Sequence, residues 1–222
     1  MRDEGMPASP EGCQWIYQDA HLLALNKPSG VLSVPGKGAD KQACAWHWAL
    51  QQYPDALVVH RLDMSTSGVL LFARSQECQR ALGEAFSQRQ VQKRYLAVVA
   101  PALPSRMGEW HSIDLPIGFD WEQRPLRKID LECGKPSQTR YCALPQLPCT
   151  SSSRVALEPL TGRTHQLRVH LAAIGHPILG DALYAPPAVQ ALAARLLLHA
   201  ESLAFTHPVT GMPLTIQCAA DF

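Results

Sequence analysis

The stretch HRLDMSTSGVLLFA, residues 60–73, constrains the fold of this chain more than any other segment. Residues 69–73 (VLLFA) form an apolar run with the length and composition of a buried strand. His60, Arg61 and Asp63 lie just ahead of that run. An unpaired carboxylate is costly in a low-dielectric interior. The chain must therefore hold Asp63 in a polar loop that leads into a core strand, where rigid scaffolds often present reactive groups.

A structural interpretation of Asp63 competes with the chemical one. The carboxylate could cap a turn while Ser65, Thr66 and Ser67 bond to the local backbone. The local sequence does not decide between a turn cap and a reactive group.

Composition narrows the class of protein. The chain has 222 residues, 46% of them hydrophobic, and a formal net charge of +1, so it can bury a core and is not disordered as a whole. Its seven cysteines include no CxxC pair, which favours free thiols in a reducing compartment over a zinc site or disulfides. The sequence has neither a signal peptide nor a membrane-length apolar run, so we expect a soluble cytoplasmic protein.

Periodicity and turn residues predict more strands than helices. The predicted elements are a hairpin (16–17 and 21–26), a Pro/Gly-rich loop (27–38), a helix (43–53), a strand (68–73), a helix capped by Ser75, a strand (93–100), short strands around 129–132 and 138–143, a strand (154–160), a helix within 162–175, and closing strands (196–205 and 214–218). The helices are not regularly interleaved with the strands. This order predicts an α+β fold with a mixed, mostly antiparallel sheet.

The segment GRTHQLRVHLAAIG, residues 162–175, is the second dense cluster of functional side chains. We expect Thr164 to cap its helix and Gly175 to end it. Apolar residues at helical spacing should face the core, which places Arg168 and His170 at the boundary with solvent. Arg168 could there direct its guanidinium at an acid. His165 and His170 are five residues apart, which is poor spacing for a metal site, so no metal is expected.

Tyr95 begins a predicted strand beside Lys93 and Arg94. It is either a core or edge tyrosine, or a ring that offers a flat face to a base, with cations nearby for phosphates. Basic residues outnumber acidic ones in residues 60–94 and again in residues 121–140. A polyanion binder would need such a surplus, but a solvated surface of mixed charge explains it too.

Taken together, these motifs resemble the RluA-type pseudouridine synthases. HRLDMSTSG is similar to the catalytic motif of that family, HRLDxxTSG. Further segments resemble the family in the same order along the chain: LLALNKPSGVLSVPG, KRYLA, GKPSQTRY, GRTHQLRVHLAAIGHPILGD and LLLHAESLAFTHP. The resemblance covers roughly residues 14–222.

The resemblance implies an isomerase that converts uridine to pseudouridine in structured RNA without a metal or a cofactor. It implies catalytic roles for Asp63, for Tyr95, which would stack on the flipped uracil, and for Arg168 as the basic partner of Asp63. Arg61 would fill the gap left by the flipped base, and His60 belongs to the same RNA-contacting motif. The target base must leave its stack before a side chain can reach its glycosidic bond.

The resemblance also implies a fold, a domain layout and substrates. We expect a flexible tail at residues 1–13 and one catalytic domain at residues 14–222, with flanking helices, a central active-site cleft and no S4 domain. The chain is most similar to family members with dual specificity for a 23S rRNA hairpin and a tRNA anticodon stem-loop. We expect a monomer that associates with no membrane.

Two other functions remain open at this level. A catalytically inactive RNA-binding or RNA-folding protein could use the same scaffold, although all matched motif positions are intact. An aspartate-based hydrolase would need a second group near Asp63 to activate water, and the sequence offers no obvious second carboxylate for that role.

Overall fold

The computed structural model describes residues 12–38, 41–104, 107–145 and 151–222. The predicted tail, residues 1–13, lies almost entirely outside the described residues. The chain divides into two compact units, which we call the first and the second unit. Of the described residues, the first contains those up to residue 92 and those from 200 to 220, and the second contains those from 93 to 199 and residues 221–222.

Strands outnumber helices in the described residues, as predicted. In chain order the elements are β1 (Gln14–Gln18), β2 (Leu22–Lys27), α1 (Ala45–Gln52), β3 (Leu57–Val58), β4 (Ser67–Ala73), α2 (Gln76–Ser87), β5 (Gln92–Val99), β6 (Trp110–Asp114), β7 (Ile117–Phe119), β8 (Arg127–Ile129), β9 (Gln138–Ala143), β10 (Ser153–Pro159), α3 (Gln166–Ala173), α4 (Pro187–Gln190), β11 (Leu198–Thr206) and β12 (Pro213–Gln217).

The first unit is built around the strand that follows the HRLDMSTSG motif. Strands β1, β2, β4 and β11 lie side by side, β3 pairs with β4, and β12 pairs with β11. The ladders β1–β2, β2–β4, β3–β4 and β11–β12 are antiparallel, and β1–β2 is the predicted hairpin. All seven residues of β4 are buried, as expected for a run that is apolar on both of its faces.

Helix α2 covers part of this core. The Oγ atom of Ser75 accepts a hydrogen bond from the N–H of Cys78 at 3.2 Å, which confirms the predicted cap. Cys78 and Leu82 are buried in the same hydrophobic cluster as Leu71 and Phe205. The amphipathic pattern of α2 therefore faces the core as predicted.

In the second unit, β10 pairs with β5 on one side and with β9 on the other, and β6 pairs with β9. Strands β7 and β8 form a separate antiparallel hairpin. All these ladders are antiparallel, so the predicted mostly antiparallel α+β architecture is confirmed. Strands β6 and β7 and helix α4 were not predicted, because short elements in a Pro-rich stretch show little hydrophobic periodicity.

Helix α3 starts differently from the prediction. His165, at φ 58°, occupies the N-cap position in the left-handed region, and no side chain caps the helix. The predicted cap by Thr164 is therefore wrong, because the chain enters the helix one residue later, through a left-handed residue. Gly175, at φ 84°, lies just beyond the C-terminus of the helix, which confirms the predicted stop.

Among the described residues, no helix combines the length and the apolar character needed to cross a bilayer.

Gly68 is the glycine that the first unit depends on most. Its φ is 109°, and a Cβ atom at this position would lie 2.2 Å from the main-chain oxygen of Ala200. Both the backbone conformation and the contact exclude a side chain. The motif residue Gly68 therefore lets the loop that carries Asp63 enter β4.

We predict that Gly68→Ala lowers the free energy of unfolding by about 3 kcal/mol or more, because both backbone strain and overpacking oppose the methyl group. Gly83→Ala is the matched control. Gly83 is exposed within α2 with nothing near its missing Cβ, so alanine should raise the free energy of unfolding by about 0.5–1 kcal/mol. Urea denaturation of both variants measures these changes. A Gly68→Ala protein as stable as the parent would contradict the structure.

Candidate active site

Asp63 lies in a turn between β3 and β4 in the first unit, and it is half-buried. The N–H of Thr66 donates to the main-chain oxygen of Asp63 at 3.1 Å, which closes the turn. This closing bond is formed by the main chain alone. The turn-cap interpretation of the Asp63 carboxylate stays open beside the chemical one.

The loop around Asp63 is tied through its backbone to the loop that follows β2. The Oγ atom of Ser33 donates to the oxygen of Leu62 at 2.8 Å and accepts from the N–H of Leu62 at 3.0 Å. Ser29 donates through its hydroxyl to the oxygen of Ser65 at 2.7 Å. These bonds fix the residues on both sides of Asp63, so the carboxylate stands on a rigid support.

Lys27 provides the strongest tie between the two loops. Its side chain is fully buried, and its Nζ donates to the oxygens of Pro28 (2.9 Å), Val31 (2.8 Å) and Met64 (3.1 Å). Three carbonyl acceptors match the three protons of an ammonium group. The residue directly after Asp63 is thus held by a buried cation, and the N–H of Gly30 donates to the same Met64 oxygen at 2.8 Å.

Burial has a clear electrostatic consequence for Lys27. It lowers the pKa of the ammonium group from 10.5 to about 8, while electrostatic interactions with Cys13 and Asp63 oppose the shift. Burial likewise raises the pKa of the Cys13 thiol to about 11. Lys27 therefore adds positive charge to the surroundings of Asp63.

His60 and Arg61 face different surroundings within the same motif. The Nε2 atom of His60 accepts from the N–H of Leu71 at 3.0 Å, and its ring stacks on Phe86 with centroids 5.1 Å apart. These contacts favour a role for His60 in holding the loop against β4 and α2, and its predicted RNA contact stays a prediction. Arg61 is exposed, as a residue that enters an RNA stack would need to be.

Tyr95 lies in β5 of the second unit, opposite Leu157 of β10. It is half-buried and packs against the hydrophobic cluster that also contains Leu167 and Leu171 of α3. Both interpretations of Tyr95 keep support, because one part of the side chain joins the core and another part remains accessible.

Arg168 is more deeply buried than its predicted place at the boundary with solvent. It is 3% exposed and His170 is 0% exposed, so that part of the prediction is wrong. The reason is a buried acid: Arg168 donates from Nε (2.8 Å) and from an Nη (2.6 Å) to the two carboxylate oxygens of Asp181. Such a two-pronged ion pair keeps a guanidinium charged and oriented inside a protein.

Asp181 and Tyr184 are site residues that sequence reasoning missed. Oδ1 of Asp181 also accepts from the N–H groups of Leu183 and Tyr184, at 2.9 and 3.2 Å. The Tyr184 hydroxyl lies 2.7 Å from Nδ1 of His165, and its ring centroid lies 5.1 Å from Cζ of Arg168. Asp181 follows a glycine in GHPILGD, and only its burial distinguishes it from an ordinary turn aspartate.

The predicted site residues belong to both units: His60, Arg61 and Asp63 to the first, and Tyr95 and Arg168 to the second. The predicted pairing of Arg168 with Asp63 stays a prediction. Among the described residues, no three histidine, cysteine or acidic side chains group as metal ligands.

Comparison with known proteins identifies the family. A family model described as RNA pseudouridylate synthase matches residues 21–173. The chain is 45% identical over 207 residues to the dual-specificity RNA pseudouridine synthase RluA of Escherichia coli K12, with 93% of each chain covered. RluA of Haemophilus influenzae is 44% identical over the same share of each chain. The chain belongs to the RluA-type pseudouridine synthases.

This RluA-type chain is therefore an RNA pseudouridine synthase, an isomerase. Solved structures agree on the fold. The human RNA pseudouridylate synthase domain containing 1 is 30% identical, with a TM-score of 0.80 over 97% of this chain and 86% of that one. The human RNA pseudouridylate synthase domain containing 4 is 27% identical, with a TM-score of 0.70 over 92% of this chain and 87% of that one.

We predict a pH-dependent contribution of Lys27 to stability. In the unfolded chain this lysine keeps its proton up to about pH 10.5, whereas in the folded protein it releases it near pH 8. Between these values the unfolded state binds more protons, so the contribution of Lys27 to stability rises with pH. From pH 7 to pH 9 the parent should gain about 1 kcal/mol of unfolding free energy relative to Lys27→Met.

Urea denaturation of the parent and of Lys27→Met at the two pH values measures this gain. Lys37→Met, at an exposed position of the same loop region, is the control and should track the parent at both pH values. Parallel pH profiles for the parent and Lys27→Met would contradict the assigned environment of Lys27.

Proposed function

We propose that this synthase isomerises specific uridines in RNA stem-loops, both in 23S rRNA and in the tRNA anticodon loop, with Asp63 as its catalytic residue. The observation that carries the proposal is the half-buried Asp63 carboxylate on a loop whose main chain is held by Lys27, Ser29 and Ser33. The similarity to the dual-specificity RNA pseudouridine synthases RluA of Escherichia coli and Haemophilus influenzae supports the dual specificity.

The reaction moves the base without changing the atoms present. The bond between N1 of uracil and C1′ of ribose breaks, and a bond between C5 and C1′ forms. The hydrogen on C5 leaves as a proton, and N1, freed from C1′, gains one. A carboxylate at C1′ can attack this carbon or stabilise positive charge that develops there, and a rigid support keeps it aimed while the base turns.

Tyr95 and Arg168 are proposed to complete the catalytic set. A half-buried tyrosine anchored in a strand can offer a ring face to the flipped uracil and a hydroxyl for proton transfer. Arg168 would supply positive charge, and its ion pair with Asp181 supports that role by fixing the direction of the guanidinium. Asp181 is therefore proposed as a positioning residue for Arg168.

Arg61 is proposed to occupy the space that the flipped uridine leaves. Unstacking a base costs a few kcal/mol, which a planar group in the vacated position can offset. A guanidinium can stack on neighbouring bases and bond to phosphates at once. The exposure of Arg61, two residues before Asp63, supports this role.

Tritium release from C5-labelled uridine tests the proposal on four RNAs: an anticodon stem-loop, a 23S rRNA hairpin that shares its loop pattern, intact tRNA and 23S rRNA. We predict that the parent protein releases tritium from both isolated hairpins, since induced loop shape is the proposed recognition element. Asp63→Asn should lower turnover by at least about 10³-fold, because no other carboxylate of the motif can replace it.

Asp55→Asn is the matched control for Asp63→Asn. Asp55 belongs to the same unit but forms an exposed ion pair with Arg74, so its loss should leave turnover unchanged. Parental turnover in Asp63→Asn would remove Asp63 from catalysis. Activity on one RNA class alone would refute the dual specificity, and RNA binding without tritium release would favour an inactive RNA-binding protein.

A further inference from the structure

The β7–β8 hairpin of the second unit exposes two large aromatic side chains. Phe119 is 46% exposed and Trp121 is 65% exposed. Their rings stack with centroids 4.9 Å apart and planes at 19°. Exposed aromatic clusters of this kind mark interaction surfaces, because they leave apolar area that a partner can cover.

Two guanidinium groups lie on these rings. Cζ of Arg127 is 3.6 Å from the centroid of Phe119, and Cζ of Arg124 is 4.4 Å from that of Trp121. In the part of the chain that the structure describes, no carboxylate lies within ion-pair distance of either guanidinium. We call Phe119, Trp121, Arg124 and Arg127 the guanidinium–aromatic platform.

Two acids close in sequence to the platform, Asp120 and Asp130, bond to the backbone of their own turns, whereas the neighbouring Glu122 is exposed. Oδ1 of Asp120 accepts from the N–H of Gln123 at 3.3 Å, and Oδ1 of Asp130 accepts from the N–H of Cys133 at 2.9 Å. These bonds use the carboxylates as turn acceptors. The platform therefore offers flat faces and positive charge together.

The platform is connected to the surroundings of Arg168. The N–H of Arg127 donates to the Tyr184 hydroxyl at 2.9 Å, and the Tyr184 ring lies beside the Arg168 guanidinium. The hairpin is also bonded to Lys135 through the two main-chain bonds of Ile117. An RNA strand close to Arg168 would therefore find the platform within a few nucleotides.

We propose that the guanidinium–aromatic platform binds unpaired nucleotides of the substrate RNA that flank the target uridine. This proposal rests on the proposed function. A nucleotide matches both features of the platform: its base can stack on the Trp121 ring or on the planar Arg124 guanidinium that lies over that ring, and its phosphate can pair with Arg124 or Arg127. A protein surface would cover the aromatic rings but would not need two guanidinium groups without acidic partners.

Fluorescence anisotropy with a labelled RNA hairpin substrate tests the platform in the 222-residue protein. Trp121→Ala should raise the Kd about tenfold, the loss expected for one stacked base, and Trp121→Phe should restore most of the affinity. Arg124→Gln should raise the Kd and lower the slope of log Kd against log salt by about one. Trp121→Ala should leave that slope and kcat at saturating RNA unchanged.

Leu192→Ala is the matched control, because Leu192 is a 57% exposed apolar residue of the same unit outside the hairpin. It should bind RNA as the parent does. Parental affinity in Trp121→Ala, or an equal loss in Leu192→Ala, overturns the platform while the parent still releases tritium. A parent protein that neither binds hairpin RNA nor releases tritium overturns the proposed function and the platform together.

Discussion

The position of Asp63 depends on the buried ammonium group of Lys27. An isolated charge in a protein interior is unfavourable, and Lys27 is tolerated because three main-chain oxygens surround its three protons. One of these oxygens belongs to Met64, the residue after the proposed catalytic carboxylate. The cation therefore joins the loop after β2 to the loop before β4, and the Ser29 and Ser33 hydroxyls add to the same connection. A carboxylate supported in this way needs little reorganisation when a substrate arrives.

In the second unit the charges are reversed: a buried acid holds the proposed catalytic cation, whereas in the first unit a buried cation holds the loop of the proposed catalytic acid. Arg168 is buried against the buried carboxylate of Asp181, and Tyr184 lies beside the guanidinium. Removing either member would leave a charge without its partner, which makes such pairs sensitive points of a fold. In both units, then, the proposed catalytic side chain is next to a charged group that is fixed by several hydrogen bonds. The same Tyr184 hydroxyl accepts from Arg127, which links the support of Arg168 to the exposed hairpin.

Local features of the fold could be predicted from the sequence. The roles of the buried charged groups Lys27 and Asp181 could not. The β1–β2 hairpin, the Ser75 cap and the buried strand β4 follow from turn residues and apolar periodicity, which act over a few residues. The bond from Lys27 to Met64 spans 37 positions and leaves no periodic pattern. The sequence therefore placed Lys27 at the start of a loop with no assigned role, and it singled out no role for Asp181. The left-handed entry at His165 was also missed: histidine is enriched in this region, but a positive φ is uncommon for any residue other than glycine, so the sequence does not signal it.

Hydrogen exchange at the Gly30 amide tests most directly whether Lys27 holds the Asp63 loop. This N–H donates to the Met64 oxygen that also accepts from Lys27, so its exchange reports on the connection between the two loops. The account predicts that in the parent protein the Gly30 amide is protected nearly as well as the amides of β4. In Lys27→Met its protection should fall while that of β4 in the same sample persists. Equal protection of Gly30 in the two proteins, or fast exchange in the parent, would contradict the account.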